Sequence, residues 1–449
     1  MKNLSIRNIL SACAGSWLGD DADLELEVAD VTTDSRAVTE GCLFAAIPGE
    51  RVDGHSFVGA ALSQGALCAL VQRVPENVAG NMILVPDTVA ALQAIAGFYR
   101  SQFDIPILGI TGSVGKTTAK EMTAAVLSRK YRVHKTSGNF NNDLGVPLTL
   151  FGLREEHEAA VVEMGVSHPG DMQRLAAMVR PTIGLYTIIG HAHLEFLKSR
   201  EGILAEKSVM NGYIPDSGLV FCSGDDDLLA AMECRQRKIT FGLGDACSVR
   251  AENVRNLPDG MMCCTVCGMD RRFDVTIPAY GEHMIYAVLE GAAVGMALGL
   301  SDEEITAGIA AYEPVGHRAR RLCTETITVI DDCYNANPTS VASAIRSLSH
   351  AEGRKICILG DMLELGEDSE KLHFDTGALA AACGIDLVVT QGKAAAEIAR
   401  GAGDCGRYYA TKTELLAALP SLILPGDTVL VKASRSMRFE DYTEALLKL

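Results

Sequence analysis

The stretch "GITGSVGKTTAKEM", residues 109–122, decides how this chain is read. A phosphate-binding loop of the common form G-x-x-x-x-G-K-[ST] would place its first glycine at position 110. Ile110 stands there, and the glycines fall at Gly109, Gly112 and Gly115 instead. The flanks are nevertheless those of such a loop. Residues 105–110 form an apolar run that Pro106 can begin, which predicts a strand. Residues 116–130 contain neither Gly nor Pro and carry Met122, Val126 and Leu127 at helical spacing. A strand that runs into a helix start presents unpaired N–H groups and the positive end of the helix dipole, which together favour an anion. Gly112 and Gly115 let the backbone curl round a phosphate without a clashing Cβ. Lys116 can then reach the β- and γ-phosphates, and the Thr117 hydroxyl can ligate Mg²⁺. The plainer alternative is an ordinary helix-entry turn; the strand–loop–helix context favours a nucleotide site.

With 449 residues, the chain exceeds one hydrophobic core and predicts two to three domains. Its 48% hydrophobic and 22% charged content is that of a soluble globular protein. The opening "MKNLSIRNIL" lacks the apolar core and cleavage site of a signal peptide. The longest apolar stretch, residues 284–300, is short for a bilayer and contains Glu290, so it reads as a buried helix. Both observations place the chain in the cytoplasm with no membrane span. A net charge of −17 argues against a nucleic-acid partner. It leaves room for an anionic small ligand, because a few local cations and helix termini suffice. Fourteen cysteines without a secretion signal read as free thiols in a reducing compartment. "CCTVC" (263–267) holds one C-x-x-C and no second pair at zinc spacing, which favours thiols in a β-rich segment over a metal site.

The first hundred residues mix short strands and helices and end in a helical stretch at 90–101. From 105 onward strands and helices alternate, the pattern of an α/β domain with a largely parallel sheet. "AAVVEMG" (159–165) and "TIGLYTII" (182–189) read as buried strands, and residues 247–280 as an antiparallel excursion. After "YEPVGHR" (312–318) the alternation restarts with "TITVIDD", "KICILGD", "DLVVTQG" and "DTVLVKAS". That restart marks a doubly wound third domain, whose ligands sit at the carboxyl ends of its strands. The expected fold class is α/β in three domains. A small α/β domain spans 1–101, a central P-loop ATPase domain with a mostly parallel sheet spans 102–313, and a Rossmann-like domain spans 314–449.

Charged groups fall at the predicted strand ends. Glu163 closes "AAVVE"; a buried carboxylate is expensive unless paired, which favours a metal role. The run "LYTIIGHAHLEF" delivers His191, His193 and Glu195, and spacing alone does not choose between the two histidines. Lys207, in "ILAEKSVMNG", reads on composition as a surface lysine of a helix.

These motifs resemble the Mur ligase family. "TGSVGKTT" is similar to the T-G-[ST]-x-G-K-[ST]-[ST] loop of Mur ligases and folylpolyglutamate synthases, so the displaced glycine belongs to that superfamily's variant. "TTDSR" with "GCLFAAIPGERVDGHSF" resembles the family's uridine-nucleotide-binding domain. "TSGNFNND", "LGVPLTL", "EMGVSHPGDM", "GHAHLE", "DDCYNANPTS", "LGDMLELGEDSEKLH" and "VKASRS" resemble the branch that adds D-alanyl-D-alanine to UDP-N-acetylmuramoyl-tripeptide. The D-N-P-R motif of the diamino-acid-adding branch is absent. The resemblance implies three domains binding, in order, the UDP-sugar peptide, ATP and the incoming dipeptide, in a chain acting as a monomer. It implies ATP contacts at Thr111, Gly112, Ser113, Val114, Gly115, Lys116, Thr117, Thr118, Arg318 and Asp332. It implies Mg²⁺ at Thr117, Glu163 and His193, with Lys207 as a CO₂-derived carbamate joining that set. Lys116, Glu163, His193 and Lys207 are then the catalytic positions. Ser35, Asn139, Asn141, Asn142, Ser434 and Arg435 are the implied substrate contacts.

Four positions depart from the family pattern: Ile188 and Ala287 where Asn is usual, Ala433 in "KASR", and His317 before the arginine. Ala287 removes an adenine contact that the pattern places there. None of the four removes a phosphate, metal or carbamate position. The implied reaction is ATP-driven amide formation in peptidoglycan precursor synthesis, through an acyl phosphate that the dipeptide amine displaces. Alternatives are another ligase of the superfamily, of diamino-acid-adding or folylpolyglutamate type, or a degenerate nucleotide-binding regulator. A folylpolyglutamate synthase leaves "DDCYNANP" unexplained, and a regulator has no need of Lys116, Glu163, His193 and Lys207 together. A GTPase would carry an N-K-x-D motif, which this sequence lacks.

Overall fold

A computed structural model describes residues 1–49, 52–257, 261–279, 281 and 283–449. Residues 50–51 of the "PGERVD" stretch and Glu282 of "GEHMIY" lie outside the described residues.

Three sheets organise the chain. The first has five strands in the order Ser16–Leu18, Met82–Leu84, Cys68–Val71, Leu43–Ala45, Val31–Thr32, all parallel except the antiparallel first pair. The central sheet has nine. Its parallel part runs Val133–Lys135, Ala159–Glu163, Ile107–Thr111, Ile183–Tyr186, Leu219–Ser223, Arg237–Gly242, Val249–Asn256. Two antiparallel strands, Met262–Gly268 and Arg271–Ile277, extend it, matching the excursion expected near 247–280. The third sheet has six strands, ordered Arg320–Cys323, Thr328–Asp331, Thr428–Lys432, Lys355–Gly360, Leu387–Gln391, Gly406–Tyr409. The four expected strands are there. The two edge strands were not anticipated, because "RRLC" and "GRYY" are short, contain no buried residue and lack an apolar run.

Register delivers the functional side chains to one edge. The strand Ile107–Thr111 lies between Ala159–Glu163 and Ile183–Tyr186, with Ile110 opposite Glu163 and Thr111 opposite Tyr186. All three strands are parallel, so the glycine loop, the Glu163 carboxylate and the segment leading to His193 emerge side by side at their carboxyl ends. In the third sheet Asp331 pairs with Val431, which sets Asp332 and Lys432 at the corresponding edge.

The C-x-x-C forms no chelate. Cys264 and Cys267 lie three apart on one strand and project from opposite faces; all fourteen cysteines are free thiols. The apolar run at 284–300 forms the buried helix His283–Ala297, and no helix among the described residues is long and apolar enough to cross a membrane.

The helix Thr88–Arg100 joins the first two sheets, and one core cluster runs from Leu4 and Ile9 through Ile95 to Met172 and Leu175. Arg100, 7% exposed, donates to the carbonyls of Val179 (2.7 Å), Phe103 (2.8 Å) and Arg180 (3.0 Å). Arg100→Ala leaves those buried acceptors unpaired and should destabilise the chain by about 2–4 kcal/mol. A clear fall in the thermal midpoint checks this; an unchanged midpoint would mean that water replaces the guanidinium without cost.

Candidate active site

A cavity of about 750 Å³ lies between the carboxyl edges of the second and third sheets. Ser113, Val114, Gly115, Lys116, Thr117 and Thr118 line it from the loop. Asn139, Asn141 and Asn142, then Glu163 and His193, line the next wall, with Arg318 and Asp332 from the third sheet's side. Thr111 and Gly112 stand behind this surface and brace it. Thr111 Oγ1 donates to the Met164 carbonyl (3.1 Å). Gly112 has φ +151° and no room for a side chain: an added Cβ would come 2.0 Å from Thr187 Oγ1. Gly115 caps the helix Lys116–Leu127 in the left-handed conformation at φ +86°. The glycines of the opening stretch thus do separate jobs, one admitting a close approach and one turning the chain into the helix.

Lys116 is half-buried, and its Nζ donates to the Gly112 carbonyl at 2.9 Å. Burial pulls its pKa below the ordinary lysine value, Glu163 opposes this, and Arg318 adds to it. Glu163 is 1% exposed and fully engaged. Its Oε2 accepts from Thr117 Oγ1 (3.0 Å) and its Oε1 from Asn141 Nδ2 (2.7 Å). Lys120 Nζ stands 4.0 Å from the same carboxylate and also meets Glu121 (3.0 Å) and the Gly138 carbonyl (3.1 Å). Sequence reasoning passed over Lys120, since a lysine one turn into a helix carries no signal of burial. The hydroxyl–carboxylate pair of Thr117 and Glu163 is a hard-oxygen donor set that suits Mg²⁺.

His193 has φ +57°, a left-handed backbone conformation uncommon outside glycine. Its Nδ1 meets Glu364 Oε2 at 2.5 Å, a contact from the central sheet's side to "DMLELG" of the third domain. That bond holds the Glu364 carboxyl below its usual range. Its sequence neighbour His191 lies outside the lining, its amide donating to Thr339 Oγ1 (3.1 Å), which separates the two histidines that spacing could not.

On the opposite side the Arg318 guanidinium stacks 3.9 Å from the Tyr334 ring centroid. Asp332 accepts from the Ala319 amide (3.1 Å) and from Lys432 Nζ (2.6 Å). His317, the unusual residue of that segment, has its partner in Asp331: Nδ1 and Oδ2 lie 2.6 Å apart, and Cys333 Sγ donates to the other oxygen at 2.9 Å.

Lys207 corrects the surface reading. It is 1% exposed on the helix Arg200–Ser208 and makes no hydrogen bond or ion pair through its amine among the described residues. Burial, reinforced by the Lys116 charge, holds its pKa well below the ordinary lysine value. The lysine is not itself in the cavity lining. Three expected substrate contacts also fall outside it. Ser35 opens the short turn Ser35–Ala37 of the first domain. Ser434 is buried, its hydroxyl accepting from the Leu363 amide (3.0 Å). Arg435 is exposed and reaches Glu440 (3.2 Å).

Known proteins share this arrangement from end to end. The Mur ligase family catalytic domain matches residues 27–100, the Mur ligase middle domain 110–295, and the glutamate ligase domain of Mur ligases 317–435. A UDP-N-acetylmuramoyl-tripeptide–D-alanyl-D-alanine ligase of Bacillus subtilis strain 168 is 37% identical, covering 99% of this chain and 98% of the relative. A crystal structure of MurF from Acinetobacter baumannii superposes with a TM-score of 0.92 at 31% identity, over 99% of both chains. A MurF ligase from Thermotoga maritima, solved in complex with ADP, gives 0.84 at 28% identity, over 93% of this chain and 97% of that one. With the family's three domain models matched in order along the chain and relatives above 30% identity covering it, the chain belongs to the Mur ligase family.

Proposed function

We propose that this chain is the ATP-dependent, ADP-forming ligase that joins D-alanyl-D-alanine to UDP-N-acetylmuramoyl-tripeptide in peptidoglycan precursor synthesis. One observation carries the reading. A single cavity unites the phosphate loop and Glu163 with Arg318 and Asp332 of the third domain, as ATP activation and amine attack in one place require. End-to-end similarity to ligases of that name supports the choice of substrates.

Each residue's role follows from its surroundings. The loop amides and Lys116 hold the phosphates, and Arg318 and Asp332 bring the third domain against the nucleotide. Thr117, Glu163 and His193 would hold Mg²⁺, which would supply positive charge against the transferring phosphoryl group. Asn139, Asn141 and Asn142 face the side on which the tripeptide carboxylate is activated as an acyl phosphate. Closure of the third domain, already tied across the cavity by His193 and Glu364, excludes water that would hydrolyse that intermediate. Ser35 serves the uridine nucleotide in the domain 1–101, 102–313 binds ATP, and 314–449, with Ser434 and Arg435, receives the dipeptide. In this reading the chain acts as a monomer in the cytoplasm, the compartment of its nucleotide-linked substrates.

Lys207 acts as a carbamate. Its amine nitrogen adds to the carbon of CO₂ and loses one proton, giving a carboxylate-like anion on a long stem that would supply an oxygen to Mg²⁺. The addition needs the neutral amine, and burial, by holding the Lys207 pKa well below the ordinary lysine value, favours that form.

Phosphate release from ATP should require both UDP-N-acetylmuramoyl-tripeptide and D-alanyl-D-alanine. Turnover with folate and glutamate in their place would instead assign the chain to the folylpolyglutamate type.

A further inference from the structure

The helix His283–Ala297 forms one wall of the cavity through His283, Met284, Tyr286, Ala287 and Glu290. Positions 283, 287 and 290 are spaced i, i+4, i+7 and share a face. Ala287 offers only a methyl group there. Glu290, one turn further, is 3% exposed, and its carboxyl makes no hydrogen bond or ion pair among the described residues. A carboxyl buried without a partner costs stability and is retained where something else needs it. Packing does not need it: the same helix meets the Lys116–Leu127 helix through Gly291 and Gly295, whose neighbours are Met122 and Val126.

A triphosphate on the Ser113–Thr118 loop leaves the base for the rest of the cavity. Met284, Ala287, Ile330 and Leu430 supply apolar surface there. A flat heterocycle in such a slot is oriented by one or two polar groups, and Glu290 is a buried one that nothing else occupies. We propose that Glu290 reads the base of the nucleotide, its carboxyl pairing with the amino group and N7 of adenine, where hypoxanthine offers two acceptors instead. This rests on the cavity being the ATP site. Burial alone pushes the carboxyl well above the usual carboxylate range. It therefore meets the base as an acid, with an O–H donor beside a C=O acceptor, the same pair that an amide offers adenine.

Calorimetric titration of the full chain with ATP, ITP and tripolyphosphate, each with Mg²⁺, tests this. Glu290→Gln keeps a donor and an acceptor and should bind ATP within about threefold of the parent. Glu290→Ala should weaken ATP by about 5–100-fold while leaving ITP and tripolyphosphate unchanged. Glu290→Leu fills the space and should repeat that loss, with a thermal midpoint in the absence of nucleotide no lower than the parent's. ATP binding by Glu290→Ala and Glu290→Leu at the parent's affinity overturns the proposal, as does equal weakening of all three ligands. A parent chain that binds tripolyphosphate but does not prefer ATP over ITP overturns it too. A parent that binds none of the three overturns the site reading itself, a separate and recognisable failure.

Discussion

Lys207→Ala should abolish ligation, a loss of about 10²–10³-fold or more, while the fold stays intact. Lys207→Arg should fail as fully, because a guanidinium keeps the charge but cannot add CO₂. Acetate or another small carboxylate should restore part of the alanine variant's activity by entering the vacated space. Labelled bicarbonate should give a carbamate carbon signal in the parent that both variants lack. The pH dependence of stability follows from the same burial. In CO₂-free buffer the folded chain holds Lys207 below its unfolded pKa of about 10.4, so between the two values the unfolded chain binds more protons. The resulting deficit is fully present below the folded pKa and shrinks as pH rises towards the unfolded one. Lys207→Met should therefore be more stable than the parent at neutral pH, by a margin that narrows as pH rises. An active arginine variant, or a margin independent of pH, would return Lys207 to a structural lysine.

The second large effect is at Lys116. Lys116→Ala removes the cation of the glycine loop, whose ammonium lies 2.9 Å from the Gly112 carbonyl and interacts electrostatically with Glu163. Charge developing on the transferring phosphoryl then loses a fixed positive partner in a site of low dielectric. The rate of ADP formation in a single turnover should fall by about 10²–10³-fold. Affinity for tripolyphosphate should fall with it. If both stay at the parent's level, Lys116 only braces the loop through its bond to Gly112.

The residues of the loop were legible from the chain because their evidence is local. A strand, a glycine turn and a helix start lie within fourteen consecutive residues, and backbone geometry dictates which side chains face the phosphate. The three-domain α/β order was legible for the same reason, through apolar runs and their spacing. Local pattern says nothing about which distant groups meet, and there the tertiary structure decided. It buried Lys207, which composition had put at the surface, and it gave Lys120 a carboxylate partner 43 positions away in Glu163. It separated His193 from His191 by directing one to Glu364 and the other's backbone to Thr339. It turned an apolar helix carrying one odd glutamate into a cavity wall whose carboxyl has no partner among the described residues. Sequence by itself determines what each segment can form. The energy of a buried charge depends on what the rest of the chain brings to it, and only the packed structure fixes that.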